Sequence, residues 1–251
     1  ITGVVSHSRE PPAPAAPFDK ALDAVGLERT LTYGRLPGGL VMLNWPLGGN
    51  DWHDGLRRSI SSQDSERDAL DQEMQQHSLQ FLDQLSRCSD GWLTRGDAFP
   101  SAQPHLALMP YWREGRRMVG HAVVSERDLL PVTQQARRSH LHATSIAVGT
   151  YANDHHYPGD DWPLAPKSCR WGGRWTGTPF CIPFEALVSA DVSNLLAAEK
   201  CFSVSHMANG ATRLQPLILN IGQAAGLAAA LAVRCNLCLL YTSDAADDLY
   251  R

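Results

Sequence analysis

The sequence predicts a mixed α/β or α+β fold, because segments with strand character and segments with helix character alternate along the 251 residues. Hydrophobic residues make up 43% of the chain and charged residues 19%, which is typical of a folded globular protein. The clearest local patterns are a strand pair at 31–44 and two helices, at 62–87 and 216–234.

The strand candidates are short apolar runs next to glycine or proline. Residues 31–44 read as two strands around the turn Pro-Gly-Gly at 37–39. Residues 118–124 and 145–149 are two further strand candidates, and residues 194–198 indicate a short buried strand.

The first helix is predicted from apolar residues that recur at helical spacing between charged ones. These positions are Leu70, Met74, Phe81, Leu82 and Leu85. They would form one buried stripe along a helix over residues 62–87.

The second helix, at 216–234, is rich in alanine and glycine. Asn220 and Gln223 lie within it, and alanine and glycine gain little free energy on transfer into lipid, so a membrane span is not predicted. Gly222 and Gly226 lie one turn apart and would form a flat side where another backbone can approach closely.

Charge and cysteine content narrow the function classes. Lys and Arg total 22 against 26 Asp and Glu, a net charge of -4, so a nucleic-acid partner is not predicted. Six cysteines in a chain of this length do not form a disulfide framework and favour a reducing compartment such as the cytoplasm. A small-molecule substrate is the expected partner, and the oligomeric state is not predicted.

The ends and the loops differ in composition from the rest. Residues 11–17 are proline-rich and predict a stiff linker, and residues 158–179 predict a long irregular segment. The chain begins with Ile1, and residues from Cys238 onward resemble a translated sequencing adapter. We therefore expect a fragment of a longer protein with an artefactual tail.

Histidines cluster with an aspartate in the second half of the chain. His140 and His142 would share one face of a strand and could bind a metal ion together. Asp154, His155 and His156 are similar to the Asp-His-His motif of a manganese-dependent phosphoesterase family. The alternative is a set of separate histidines, each hydrogen-bonded in a polar pocket.

Two other groups of side chains are candidates for binding. Arg113, Arg116 and Arg117 lie beside a predicted strand and either bind a phosphate or carboxylate or form a solvated basic face. Cys235 and Cys238 form a single C-x-x-C pair, which is weak support for zinc or thiol exchange.

Several motifs in one order together carry a resemblance. They are Tyr-Gly-Arg-Leu-Pro-Gly-Gly at 33–39, Leu-Asn-Trp-Pro at 43–46, Gly-Asn-Asp at 49–51, residues 113–120, Gly-Thr-Tyr-Ala-Asn-Asp-His-His at 149–156, residues 182–187 and 194–196, Ser-His at 205–206, Arg-Leu-Gln-Pro at 213–216 and Gly-Gln-Ala-Ala-Gly at 222–226. In order and spacing the chain resembles, over roughly 30–233, a bacterial family of FAD-dependent oxidoreductases.

The resemblance implies a cofactor, a reaction and a set of site residues. The last helix of such flavoproteins directs its N-terminus at the flavin pyrimidine ring, and the flavin accepts a hydride from a small organic substrate. It implies His206 and His156 as proton-handling catalytic residues. The implied cofactor-binding residues are Arg213, Leu214, Gln215, Pro216, Gly222, Gln223 and Gly226, and the implied substrate- or anion-binding residues are Arg116, Arg117, Asn50 and Asp154.

The resemblance also implies a domain layout. Residues 1–29 would be a linker and remnant, 30–177 an inserted α+β substrate-binding region, 178–237 the C-terminal part of a Rossmann-like FAD-binding core, and 238–251 the tail. No G-x-G-x-x-G loop for the FAD pyrophosphate is present, so this fragment alone is expected to bind FAD poorly and to be inactive. The alternatives are the manganese-dependent phosphoesterase and a non-catalytic domain that binds a carbohydrate or an anion.

Overall fold

The structure is a computed structural model that describes residues 2–5, 22, 26–43, 52, 54–100, 105–133, 135–154 and 178–241. Its contacts divide the chain into two compact units. The N-terminal unit comprises the described residues up to 112, and the C-terminal unit comprises residues 113–154 and 178–241. The domain layout implied by the resemblance stays a prediction.

In the N-terminal unit, the structure delimits an antiparallel sheet and two α-helices among the described residues. Its elements in chain order are β1 (Thr2–Val5), α1 (Leu27–Thr32), β2 (Arg35–Leu36), β3 (Leu40–Met42), α2 (Asp64–Cys88) and β4 (Leu93–Arg95). The strand order in the sheet is β2-β3-β1-β4.

The predicted hairpin and the first predicted helix are both present in this unit. Gly38 and Gly39 form the β2–β3 turn with φ of +82° and +77°, a conformation that glycine adopts without a steric penalty. The predicted apolar stripe of α2 packs into the core, where Leu70, Phe81 and Leu82 are fully buried. Where the sequence predicts the first strand to begin, Leu31 and Thr32 instead end α1.

In the C-terminal unit, the described residues form a two-stranded antiparallel sheet and two α-helices. Its elements are β5 (Ser145–Gly149), β6 (Phe180–Pro183), α3 (His206–Thr212) and α4 (Gln215–Cys235). Every residue of β6 is buried. The core combines this sheet with one face of α4, and its large buried side chains include Phe180, Ile182, Phe202, Leu217 and Ile221.

Two strand predictions in this unit are wrong. Residues 118–124 make only isolated bridges, between Gly120 and Ser189 and between Val124 and Val204, because the segment hydrogen-bonds to different neighbours in turn. Residues 194–198 contribute only one bridge, between Leu196 and Val188. Residues 145–149, by contrast, form β5 as predicted.

The mixture of helices and strands confirms the α/β class in its coarse form. Both sheets are antiparallel, and the Val124–Val204 bridge is the one parallel contact within the described ranges. The partial Rossmann-like core therefore stays a prediction. Of the predicted irregular segment at 158–179, residues 158–177 lie outside the described residues.

Helix α4 confirms the predicted C-terminal helix, with one residue more at each end. By length and composition it is the one described helix that could cross a membrane, a test that the core helices of soluble proteins also pass. Leu217, Ile221, Ala225 and Ala228 form its buried face.

Candidate functional site

The N-terminus of α3 presents a histidine next to a carboxylate. The Ser205 hydroxyl caps the helix by accepting from the backbone N–H of Ala208 at 3.1 Å. The next residue, His206, has its Nδ1 2.9 Å from Oε2 of Glu114, and its side chain is 49% exposed. Nδ1 thus anchors the imidazole to Glu114, and about half of the side chain is accessible to solvent.

Glu114 connects the histidine to an arginine. Its Oε2 also accepts from Nη1 of Arg117 at 2.9 Å. Burial raises the pKa of Glu114, but hydrogen bonds from His206 and Arg117, together with their charges, outweigh burial and hold the pKa below its ordinary value. Glu114 is therefore an ionised carboxylate at neutral pH.

The segment that carries Glu114 is fixed on both sides. The buried Asn209 side chain, one turn along α3 from His206, donates from Nδ2 to the carbonyl of Arg113 at 3.2 Å. On the other side, the N–H of Met118 donates to the carbonyl of Cys201 at 2.8 Å. Because both ends are held, Glu114 faces α3 with little freedom to move away.

The lowered pKa of Glu114 predicts a pH-dependent stability. The carboxylate stabilises the folded chain fully above its ordinary pKa of 4.5, and this contribution disappears as the pH falls from there through the folded pKa. Glu114→Gln should therefore cost about 1 kcal/mol of unfolding free energy at pH 7 and progressively less below pH 4.5. Denaturant titration from pH 3 to pH 7 measures the difference, and a constant difference would contradict the prediction.

A second ion pair lies where α3 joins α4. Nη2 of Arg213 is 3.3 Å from both the carbonyl oxygen and Oδ2 of Asp154. The two side chains are only 7% and 13% exposed. The N–H of Asp154 also donates to the carbonyl of Gly210 at 3.2 Å, so residue 154 is attached to both α3 and the residue that follows it.

Two buried polar side chains flank this ion pair along the chain. Both amide atoms of Asn153 and the hydroxyl of Thr212 are buried and have no hydrogen-bond partner among the described residues. An unsatisfied buried polar group costs about 1–3 kcal/mol, so these atoms are favourable contacts for a bound polar group or a water molecule.

Helix α4 begins immediately after the ion pair. Leu214 is its N-cap and, in the described part of the chain, no side chain caps the first turn. Gln215 and Pro216 are exposed, and proline suits this position because its missing N–H has no helical partner. The helix thus presents uncapped N–H groups and the positive end of its dipole.

The glycines of α4 differ in their surroundings. A Cβ on Gly222 would lie 3.2 Å from the carbonyl oxygen of Ala198, so this glycine permits a close backbone approach. At Gly226 no described atom lies within 4 Å of that position. The sequence predicts close packing at both glycines, and among the described residues the structure shows it at Gly222 and not at Gly226. Gln223, between them, is exposed.

The structure joins some of the predicted site residues and leaves others apart. Arg117 and His206 meet through Glu114, which was not predicted as a site residue, and Asp154 pairs with Arg213. Arg116 is exposed. Asn50, His155 and His156 lie outside the described residues.

The described residues give no support to a metal site or a thiol site. No group of three or more His, Cys, Asp and Glu residues within the described ranges could hold a metal ion, and the Asp154 carboxylate bonds to Arg213. His140 and His142 make an edge-to-face ring contact with centroids 5.1 Å apart. Cys235 and Cys238 are exposed thiols that form no disulfide.

Comparison with known proteins identifies the family. The model of the family described as FAD dependent oxidoreductase matches residues 6–240, nearly the whole chain. No curated protein and no solved structure matches the chain. The match includes every described residue of the C-terminal unit except Tyr241. The chain therefore belongs to the family of FAD dependent oxidoreductases, flavoproteins whose cofactor is FAD.

Proposed function

We propose that the protein transfers a hydride from a small organic substrate to FAD, with the beginning of α4 at the flavin pyrimidine ring. The observation that carries this proposal is the uncapped, exposed N-terminus of α4 in a chain of this family. When bound, FAD supplies the two-electron acceptor for a carbon that is being oxidised. Residues 178–237 are then the C-terminal part of the FAD-binding core.

The residues at this position fit a flavin in two respects. The free N–H groups and the positive dipole end of α4 favour the negative charge that develops at N1 and C2=O of a reduced isoalloxazine ring. Asn153 and Thr212 supply buried polar atoms without partners in the described structure, at residues adjacent to Asp154 and Arg213. Leu214, Gln215 and Pro216 are therefore our proposed cofactor contacts.

The Asp154–Arg213 pair has a different role in this proposal. Its two side chains are bonded to each other and nearly buried, so neither presents a charge to a solvent-borne anion. We assign the pair to holding the α3–α4 junction in place. Exposed Arg116 remains the candidate for contact with an anionic substrate group.

His206 is the proposed proton-handling residue. Imidazole takes up and releases protons near neutral pH, and this ring is anchored to a carboxylate and half-exposed. His156 stays a second candidate by the resemblance. No described contact favours the phosphoesterase or the carbohydrate-binding alternative.

The test is flavin binding by the protein expressed from its complete gene, because we also propose that a phosphate-binding loop precedes Ile1. Purified protein should show flavin absorption and bind FAD in a one-to-one ratio. Protein that stays colourless in excess FAD would contradict the proposal.

A variant pair tests the position of the flavin site. Gly226→Leu adds a side chain where the described chain leaves open space, so the fold should tolerate it. If the cofactor or the segment that holds it packs on this side of α4, the affinity for FAD should fall at least tenfold, or about 1.4 kcal/mol. Arg234→Leu, in the exposed last turn of the same helix, is the control and should leave binding unchanged.

A further inference from the structure

The contact between Glu114 and His206 fixes where the proton of the imidazole lies. An ionised carboxylate has only acceptor atoms, so a neutral imidazole bonded to it must donate. The bonded nitrogen is Nδ1, 2.9 Å from Oε2 of Glu114. Nδ1 therefore carries the hydrogen, and the lone pair of the neutral ring lies on Nε2.

Arg117 makes this arrangement more specific. It donates to the same oxygen, Oε2, at 2.9 Å, which adds a positive charge beside the carboxylate and restrains its orientation. In the structure Arg117 therefore binds Glu114, whereas the sequence analysis assigned Arg117 to the binding of a substrate or an anion. Its side chain is 25% exposed, against 49% for His206.

Two contacts set the register between the segment that carries Glu114 and α3. Asn209 and His206 are both on α3, three residues apart, and they bind Arg113 and Glu114, which are neighbours in the chain. Adjacent residues of one segment thus meet successive positions on one side of the helix. These two contacts together hold the Glu114 carboxylate next to Nδ1 of His206.

We propose that Glu114 is a positioning residue that holds His206 as the Nδ1–H tautomer, so that Nε2 removes the proton from a substrate hydroxyl or amine. This inference rests on the proposed function. The substrate carbon loses its hydrogen with the bonding electron pair as a hydride to FAD, and its heteroatom loses a proton to Nε2. A carbonyl or an imine forms, which balances the two electrons and the two hydrogens that leave.

The substrate class follows from this balance. A base of the strength of imidazole suits an oxidation at carbon that also releases a proton from an attached heteroatom. Alcohols and amines meet this condition, whereas oxidation of a saturated C–C bond requires removal of a carbon-bound proton, for which a stronger base is favourable. The Glu114–His206 arrangement therefore favours alcohols and amines.

The tautomer is tested by nitrogen-15 NMR of histidine side chains in the purified chain without flavin. In the wild type, His206 should carry its hydrogen on Nδ1. The signals of His206 are assigned by their absence from the spectrum of His206→Gln. Glu114→Ala removes the acceptor and should produce a mixture of both tautomers. Glu114→Gln keeps an acceptor oxygen and should largely retain the Nδ1–H form, and Glu126→Gln is the matched control. A wild-type ring with hydrogen on Nε2, or no change in Glu114→Ala, would overturn the proposal.

The reaction is tested separately by anaerobic reduction of bound FAD with a panel of primary alcohols and primary amines. At least one should reduce the wild-type flavin, and Glu114→Ala should slow that reduction about 10- to 100-fold with less effect in Glu114→Gln. If FAD is bound and no member of the panel reduces it, the proposed substrate class is wrong. If no FAD is bound, the proposed function fails, while the tautomer result is unaffected.

Discussion

Replacing Arg213 with methionine should lower the unfolding free energy of the C-terminal unit by about 3–5 kcal/mol. The substitution leaves the Asp154 carboxylate with 13% exposure and without the guanidinium that now compensates its charge. Because loss of one member of a nearly buried ion pair is costly, the decrease in stability should exceed that of an ordinary surface substitution several-fold.

Hydrogen exchange of the β5 amides reports on the stability of this unit separately from the rest of the chain. Arg127→Met, at an exposed position of the same unit, is the control and should change stability by less than about 0.5 kcal/mol. The double variant Arg213→Met with Asp154→Leu removes both charges and should recover most of the loss. Equal losses in the single and the double variant would contradict the role of the ion pair.

Replacing Gly120 with alanine should destabilise the same unit by about 1–3 kcal/mol. The added Cβ would lie 2.8 Å from Cβ of Ser203 and 3.0 Å from the carbonyl oxygens of Glu185 and Ala186. Since two of these three atoms belong to the backbone, the segment must shift as a whole rather than one side chain.

Gly115→Ala is the matched control, because no described atom lies within 4 Å of the added Cβ. Thermal denaturation followed by circular dichroism measures both variants. A shift of residues 118–120 should also weaken the Glu114–His206 hydrogen bond, which the NMR signal of Nδ1–H reports. Equal melting temperatures for the two variants would show that the packing at Gly120 is not close.

Local patterns predicted the long elements of this fold. Helix α2 follows from apolar side chains at helical spacing, and α4 from an alanine-rich stretch that contains no proline after Pro216. The β2–β3 hairpin follows from Gly38 and Gly39, whose positive φ values suit a tight turn. Each of these signals lies within one short stretch of chain.

Apart from β5, the short elements of the C-terminal unit were not predictable in the same way. Residues 118–124 have strand composition, yet their hydrogen bonds go to several different segments, and a partner cannot be read from composition. Strand β6 is four residues long and completely buried, so it shows no alternation. Its pairing with β5 depends on a segment more than 30 residues away.

The sequence by itself determined the family resemblance, the helices α2 and α4, and His206 as a candidate proton acceptor. Only the tertiary structure brought Glu114 to His206 across 92 residues of chain, and Asp154 to Arg213 across 59. The physical reason is that helix spacing and turn residues act over a few positions. Hydrogen bonds and ion pairs between distant segments depend instead on how the whole unit packs, and a local sequence pattern does not predict that packing.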